Sequence, residues 1–543
     1  MGGGSRMRIS LRTRSLAGEV GALFVILGIT AWSIWPYVEN PTRAWQWGGD
    51  DGLIAWQINS LGFDGNIFYP YKNTGAYGAL LDVSGIMGRI AVEMTGNPVA
   101  AYNTALIVGG ILTSAFIYGW FREMAGDGWG SVVGTVAFIL SGIRMGFIVH
   151  IHFWIMQWMV LSAWMMWKYA VSGKVKFWYA AAVLIAVQFW ESFYQAYWLV
   201  LWVGVWLMVK RKVLIKDWKH WVAGIVIAGV LIWPAARAYV QVYRDFGYGG
   251  SIREAAHFSS SINDIWGGWR SLGLYVLLAV AMLRLVRPHP GEGNFRMLLA
   301  LLVFGVVMAL GPVLKWQGGT VKIWDRYFVP LPYGILYYLL PGFSALRSVH
   351  RWMWVAGFAA SGVIAMGLSR TSPPAPLLNR VPRALRAGEG RKGRGVFSIG
   401  LVGALVVAIV GGTIIKSVGE FPTPDRYPAV YKWLASAPGN AILEYPPYTW
   451  VDAEHGLEMY RMVYSLVHGK ALVGGASGFI PPERYKFLME VKERFPDADL
   501  VEQLKDWGVD YVVVHKNEGK IEESKYLEKV WEDESDVVYE LVM

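Results

Sequence analysis

The chain has 543 residues, 55% of them hydrophobic and 17% charged, with a mean hydropathy of +0.35, 29 Trp and no Cys. This excludes an ordinary soluble enzyme and points to a multispan membrane protein, while the lack of Cys excludes disulfides, Fe–S clusters and Cys-type zinc sites. The net charge of +10 does not indicate nucleic acid, because the Lys and Arg residues stand in short clusters between apolar runs, where they act as topology signals.

Residues 1–15 are basic, with Arg6, Arg8, Arg12 and Arg14 ahead of an apolar run from Leu16 to Trp35. That run is about 20 residues long, enough to span a bilayer, and no small-residue cleavage site follows it. A retained first span with a cytoplasmic N-terminus is expected. The first outer loop, 37–96, holds the stretch WQWGGDDGLIAWQINSLGFDGNIFYPYKNTGAYGALLD, with the adjacent acids Asp50 and Asp51 followed by Asp64 and Asp82. Paired acids at a membrane rim, opposite cations from later loops, suit a transfer reaction on a lipid-linked phosphate. Ala76 to Thr95 is amphipathic and reads as a helix at the interface.

Further spans are expected at Asn97–Trp120, Trp129–Val149, Phe153–Tyr169, Trp221–Tyr239, Trp269–Val286, Met297–Leu314, Trp352–Leu368 and Val396–Ile415. Val175 to Val209 is about twice the thickness of a bilayer and reads as two spans meeting at the polar stretch Gln188–Gln195, which contains Glu191. Lys210, Arg211, Lys212, Lys216 and Lys219, and the Pro/Arg/Gly linker 370–395, fall on one side of the resulting topology of about 11 transmembrane helices, as the positive-inside bias requires. From residue 420 charge rises, and short β runs (AILEYP, YVVVH, DVVYELV) alternate with helical patterns. This predicts a small C-terminal α/β domain, 420–543, on the extracytoplasmic face, following a transmembrane domain over 16–415.

GGDDGLIAWQI, NIFYPYKNTGAYG and NPVAAYN in this order, then HIHFWIMQW, PGFSALRSVHRWMWV, GGASGFIPP and LKDWGVDYVVVH, resemble the GT-C superfamily of polytopic glycosyltransferases. Within it the chain is most similar to prokaryotic YfhO-like and PMT/ArnT-like membrane glycosyltransferases. The likeness covers nearly the whole chain as a series of short stretches. It implies an inverting membrane transferase that takes a sugar from a polyprenyl-phosphate donor on the outer face, with a first-loop Asp as base. The acceptor would be a glycan, lipid or protein. Some members use a divalent cation, but the sequence specifies no full ligand set.

An inverting transfer needs a carboxylate to take the acceptor hydroxyl's proton. Asp50 or Asp51 is the candidate; the structural alternative is that Asp51 caps the helix GLIAWQINSL. The leaving phosphate needs cations, and Arg347, His350 and Arg351 stand where the long outer loop re-enters the membrane. Contact with lipid headgroups explains them as well. His150 and His152 could bind a metal or touch the phosphate, or be interfacial histidines bonded to backbone. Arg144 is costly to leave unpaired within a span and is expected at the substrate cavity with Asp82 and Glu191. Asp82 could orient the acceptor, ligate a cation or pair with Arg89, and Glu191 faces a cavity or sits at the outer rim.

The cytoplasmic segments are too short to fold a nucleotide-binding domain, which also favours a lipid-linked donor presented from the bilayer. The rival reading is a non-catalytic lipid-linked-glycan binding protein or transporter.

Overall fold

The computed structural model describes residues 16–46, 50–126, 128–209, 216–247, 249–267, 278, 292–340, 342–369 and 415–542. The basic N-terminus, most of the expected span Trp269–Val286, the linker 370–395 and all but the last residue of the expected span Val396–Ile415 lie outside them.

Where the described residues cover an expected span, most of it is helical. The helices are α1 (Leu16–Ser33), α2 (Asp50–Asn59), α3 (Asp82–Thr95), α4 (Pro98–Ala125), α5 (Gly128–Ile139), α6 (Gln157–Ser172), α7 (Val175–Glu191), α8 (Phe193–Val209), α9 (Trp218–Phe246), α10 (Glu292–Ala309) and α11 (Met353–Leu368). Pro98–Ala125, Trp218–Phe246 and Val349–Leu368 are each long and apolar enough to cross a membrane. Large side chains on α9, including Val230 and Trp233, stay exposed, as a face turned to lipid requires.

The expected span Trp129–Val149 is broken. It ends at Ile139, and a short helix, Gly142–Met145, follows, with Ser141 Oγ accepting from the Arg144 amide. A second short helix, Ile151–Trp154, comes next, and the long helix starts at Gln157 rather than Phe153. Arg144 accounts for the irregular backbone: it donates to the carbonyls of Gly110 and Trp154, both at 3.3 Å, so freed backbone acceptors are met inside the protein rather than in lipid.

The amphipathic stretch from Ala76 is also divided, into a 3₁₀ turn at Thr74–Tyr77 and a helix that begins only at Asp82. Leu81 between them adopts φ 57°, which ends one element before the next can start. Helix α3 keeps the amphipathic character read from the sequence: Ile86, Ile90 and Met94 are exposed along one face.

Residues 429–541 form a five-stranded sheet from β1 (Ala441–Tyr445), β2 (Ala471–Leu472), β3 (Tyr511–His515), β4 (Leu527–Glu532) and β5 (Asp536–Leu541), in the order β4-β5-β3-β1-β2. Strand β1 pairs in parallel with β2 and β3, whereas β5 is antiparallel to β3 and β4. Both faces of the central strands are covered, so β1 and β3 are buried along their whole length, including Glu444 and His515 near their carboxyl ends. Ile442 and Val513 pack towards helices α12 (Ala429–Ser436) and α13 (His455–His468), and Leu443 and Val512 towards α14 (Pro482–Arg494) and α15 (Ala498–Asp506).

This sheet does not stand apart from the first outer loop. The amides of Phe68 and Tyr69 donate to the carbonyls of Gly474 and Leu472 at 2.9 Å, and the Leu472 amide returns a bond to Asn66, so the loop runs along the sheet edge. Helix α13 lies on α2, and a Cβ on Gly52 would fall 2.9 Å from Met459 Cβ. Only glycine permits so close an approach, and one apolar core runs from Trp56 and Ile58 through to Met462 and Val463.

Candidate active site

Helix α2 begins at Asp50, with both acids in its first turn, where the helix dipole favours negative charge. Asp51 is therefore the second helical residue rather than the residue before the helix. Consecutive helical positions point in different directions, and the two acids part accordingly. Asp51 is fully buried, within electrostatic reach of Tyr37 and Tyr460. Asp50 is 36% exposed and reaches a cavity of about 540 Å³.

The cavity collects residues from distant parts of the chain. His150 Nε2 lies 2.8 Å from Asp50 Oδ2. Arg347 and Arg351 line the same cavity, with the Arg351 guanidinium over the Phe153 and Tyr194 rings at 4.6 and 5.3 Å. Arg347 also meets Glu254 at 3.2 Å, which sets its direction. The hydrogen bond from His150 holds Asp50 below the ordinary carboxylate range; burial opposes the shift, and the charges of His150, Arg351 and Arg347 add to it. The result is an anionic oxygen facing two guanidinium groups across one cavity.

Five of the residues expected at the site thus come together: Asp50, His150, His152, Arg347 and Arg351. His152 is almost buried, its ring centroid 6.1 Å from that of His150, and its carbonyl accepts from Gln195.

Asp51, Asp82, Arg144, Glu191 and His350 lie outside the cavity wall. His350, expected with the phosphate, turns away: Nδ1 is 3.1 Å from the Phe258 carbonyl and the ring stacks on Phe147. Arg144 is buried beneath the site, its guanidinium 4.1 Å from the Trp154 ring and bonded to Ser114 Oγ. Asp82 accepts from the Gly62 amide at 3.1 Å rather than pairing with Arg89, and burial pushes its carboxyl up. Glu191 is fully buried and bonds both the Ser84 hydroxyl and, at 3.0 Å, the Ser84 amide. It satisfies one of the free N–H groups in the first turn of α3, that of Ser84, a structural role for a carboxyl that cannot face lipid.

Residues that the sequence did not single out complete the wall. Tyr194, Tyr239 and Gln57 are among them, and the tail supplies Trp450, Ser477, Gly478 and Phe479. The glycine run GGASG is a poor phosphate loop, and packing explains it. Gly475 adopts φ 142° against Ile67, and a Cβ on Gly478 would fall 2.3 Å from the Tyr77 carbonyl. A cluster of glycines in an otherwise charged tail is the signal that marks this close approach. Among the described residues, no group of three or more His, Asp or Glu could hold a metal ion, and the facing atoms of Asp50 and His150 are engaged with each other.

Among solved structures, the chain is similar to the arabinofuranosyltransferase AftD from Mycobacteria, at 15% identity and a TM-score of 0.57, over 98% of this chain and 42% of that one. The fold is GT-C-like. The chain thus spans less than half the length of AftD. Weaker matches are the archaeal oligosaccharyltransferase AglB from Archaeoglobus fulgidus, in complex with an inhibitory peptide and a dolichol-phosphate (TM-score 0.47, 13% identity, 92% of this chain and 69% of that one), and ArnT from Cupriavidus metallidurans bound to undecaprenyl phosphate (0.48, 12%, 97% and 98%). No protein-family model and no curated protein matches the sequence. In this GT-C-like fold the cavity lies between the loop 37–96, the apolar helices and the tail.

Proposed function

We propose that this chain is a membrane glycosyltransferase that moves a hexosyl or pentosyl group from a polyprenyl-phosphate donor to an acceptor hydroxyl, with inversion and with Asp50 as base. One observation carries the reading: a single cavity holds an ionised carboxylate, Asp50, opposite Arg347 and Arg351. The acceptor oxygen attacks the anomeric carbon as the bond from that carbon to the phosphate oxygen breaks. Its proton passes to Asp50, and the departing polyprenyl phosphate leaves with the bonding pair, its charge met by the two guanidinium groups. Planar guanidinium groups suit phosphate, and no proton is needed on the leaving group.

The fold supports the class of reaction, since AftD, which shares it, is an arabinofuranosyltransferase. The packing of the tail on the first loop supports one face for both. On the reading of about 11 transmembrane helices with a cytoplasmic N-terminus, that face is extracytoplasmic and the membrane is the cytoplasmic one.

The test is release of radiolabelled sugar from a panel of polyprenyl-phosphate sugars by the purified protein in lipid nanodiscs. Turnover by the wild type and its loss in Asp50→Asn is the expected result. Binding of the lipid without any turnover would turn the reading to a lipid-linked-glycan binding protein or transporter.

A further inference from the structure

The two sources of the cavity wall differ in chemistry. The first loop and membrane segments bring charge, in Asp50, His150, Arg347 and Arg351, whereas the tail brings Trp450, Ser477, Gly478 and Phe479 and no charge. Ser477 is 1% exposed, and its Oγ has no hydrogen-bond partner among the described residues. A buried hydroxyl left so is costly unless something meets it. Across from it is Gln57, and the space between is kept open by Gly78: a Cβ there would fall 2.5 Å from Gln57 Nε2 and 3.4 Å from Ser477 Oγ. Trp450 is 40% exposed, and Phe479 is stacked on Tyr77 at 4.6 Å between ring centroids, so the aromatic wall is rigid on one side and open on the other.

We infer that this tail-built part of the cavity wall is a subsite for a carbohydrate acceptor, with Gln57 and Ser477 bonding its hydroxyls and Trp450 covering an apolar face of the ring. The inference rests on the glycosyltransferase reading and adds the acceptor class to it. A sugar ring presents what this wall lacks and matches: neutral hydroxyls in pairs and a flat C–H face, with no charge to be paired. The tail residues of the wall offer no charged side chain to a phosphorylated or cationic acceptor group. The glycines at 475 and 478 set the tail against the first loop and hold Ser477 at the wall, so the subsite exists only where the tail is docked.

The experiment is calorimetric titration of the full-length protein in nanodiscs with methyl glycosides and disaccharides of common hexoses and pentoses, beside the donor-turnover assay. Binding of at least one glycoside, weakened tenfold or more in Ser477→Ala and Trp450→Ala and retained in Trp450→Phe, is expected. Thermal unfolding of each variant checks that the fold is kept. Equal affinity in wild type and both alanine variants places carbohydrate elsewhere and overturns the inference. Donor turnover with no glycoside binding leaves the transferase reading standing and overturns the carbohydrate acceptor. Neither turnover nor glycoside binding overturns both.

Discussion

His150 Nε2 and Asp50 Oδ2 lie 2.8 Å apart at the cavity wall, joining the turn after the short helix Gly142–Met145 to the first loop. The bond holds the Asp50 carboxyl low, and with it the pH range in which the carboxylate is ionised. Activity that depends on this anion is present above the Asp50 pKa and is lost as pH falls through it. In His150→Ala the acid limb of the kcat profile is expected to move up by about one unit, and a pH–rate series in the donor assay reads this. Asp50→Asn should lower kcat by roughly 10²–10⁴-fold across the whole profile.

Arg351 has its guanidinium held between Phe153 and Tyr194, whereas Arg347 is shared with Glu254. In the proposed reaction, charge developing on the departing phosphate would therefore meet Arg351 in a site already ordered for it. Arg351→Ala is expected to lower kcat by about 10²–10³-fold, and Arg351→Lys to recover little, because a lysine lacks the planar fork. Steady-state kinetics with the donor varied separates this from a change in KM alone.

A buried charge network lies at the carboxyl ends of β1 and β3. Arg461 is within 3.5 Å of Glu444, 3.1 Å of Glu458 and 2.7 Å of Glu518, and His515 bridges Glu444 and Asp536. Arg461→Met leaves carboxylates buried without their cation and should cost about 3–5 kcal/mol of stability. Thermal or denaturant unfolding of the full chain would show it.

Burial works against charge on His515, but the hydrogen bonds to Asp536 and Glu444 outweigh it, and its pKa is pushed up to about 9. A raised folded-state value means stabilisation that is full below the ordinary histidine range and is lost as pH rises through about 9. The unfolding midpoint should fall between neutral pH and pH about 9 in the wild type, and this slope should flatten in His515→Gln.

Gly478 faces the Tyr77 carbonyl with room for no side chain. Gly478→Ala is expected to push the tail segment from the first loop, with a loss of about 1–3 kcal/mol and a drop in turnover although no charged group is changed. Limited proteolysis of the tail in this variant, beside the activity assay, checks both.

Much of the framework was legible in the residues. Helices fall at the apolar runs because a span of fixed thickness demands a fixed length of apolar chain, and β1, β3 and β5 fall at AILEYP, YVVVH and DVVYELV. The break between α7 and α8 at Ser192 falls within the polar stretch Gln188–Gln195. Less legible were elements whose shape depends on partners: Ser141 to Trp154 reads as the end of one apolar span, a tight turn and the start of the next span, yet the buried guanidinium of Arg144 lets the backbone leave the helix from Ser141.

The sequence by itself determined the membrane class, the α/β pattern of the tail and the first-loop acids as the place to look, because these follow from local composition and periodicity. Only the tertiary structure decided which acid faces the cavity, that Arg351 lines it while His350 turns to Phe258, and that Ser477 and Trp450 of the tail complete the wall. Neighbours along a helix point about 100° apart, so Asp50 and Asp51 are equivalent in sequence and opposite in environment once α2 is packed. Ser477 and Gln57, far apart in the chain, line one cavity only because glycines let the tail close on the first loop.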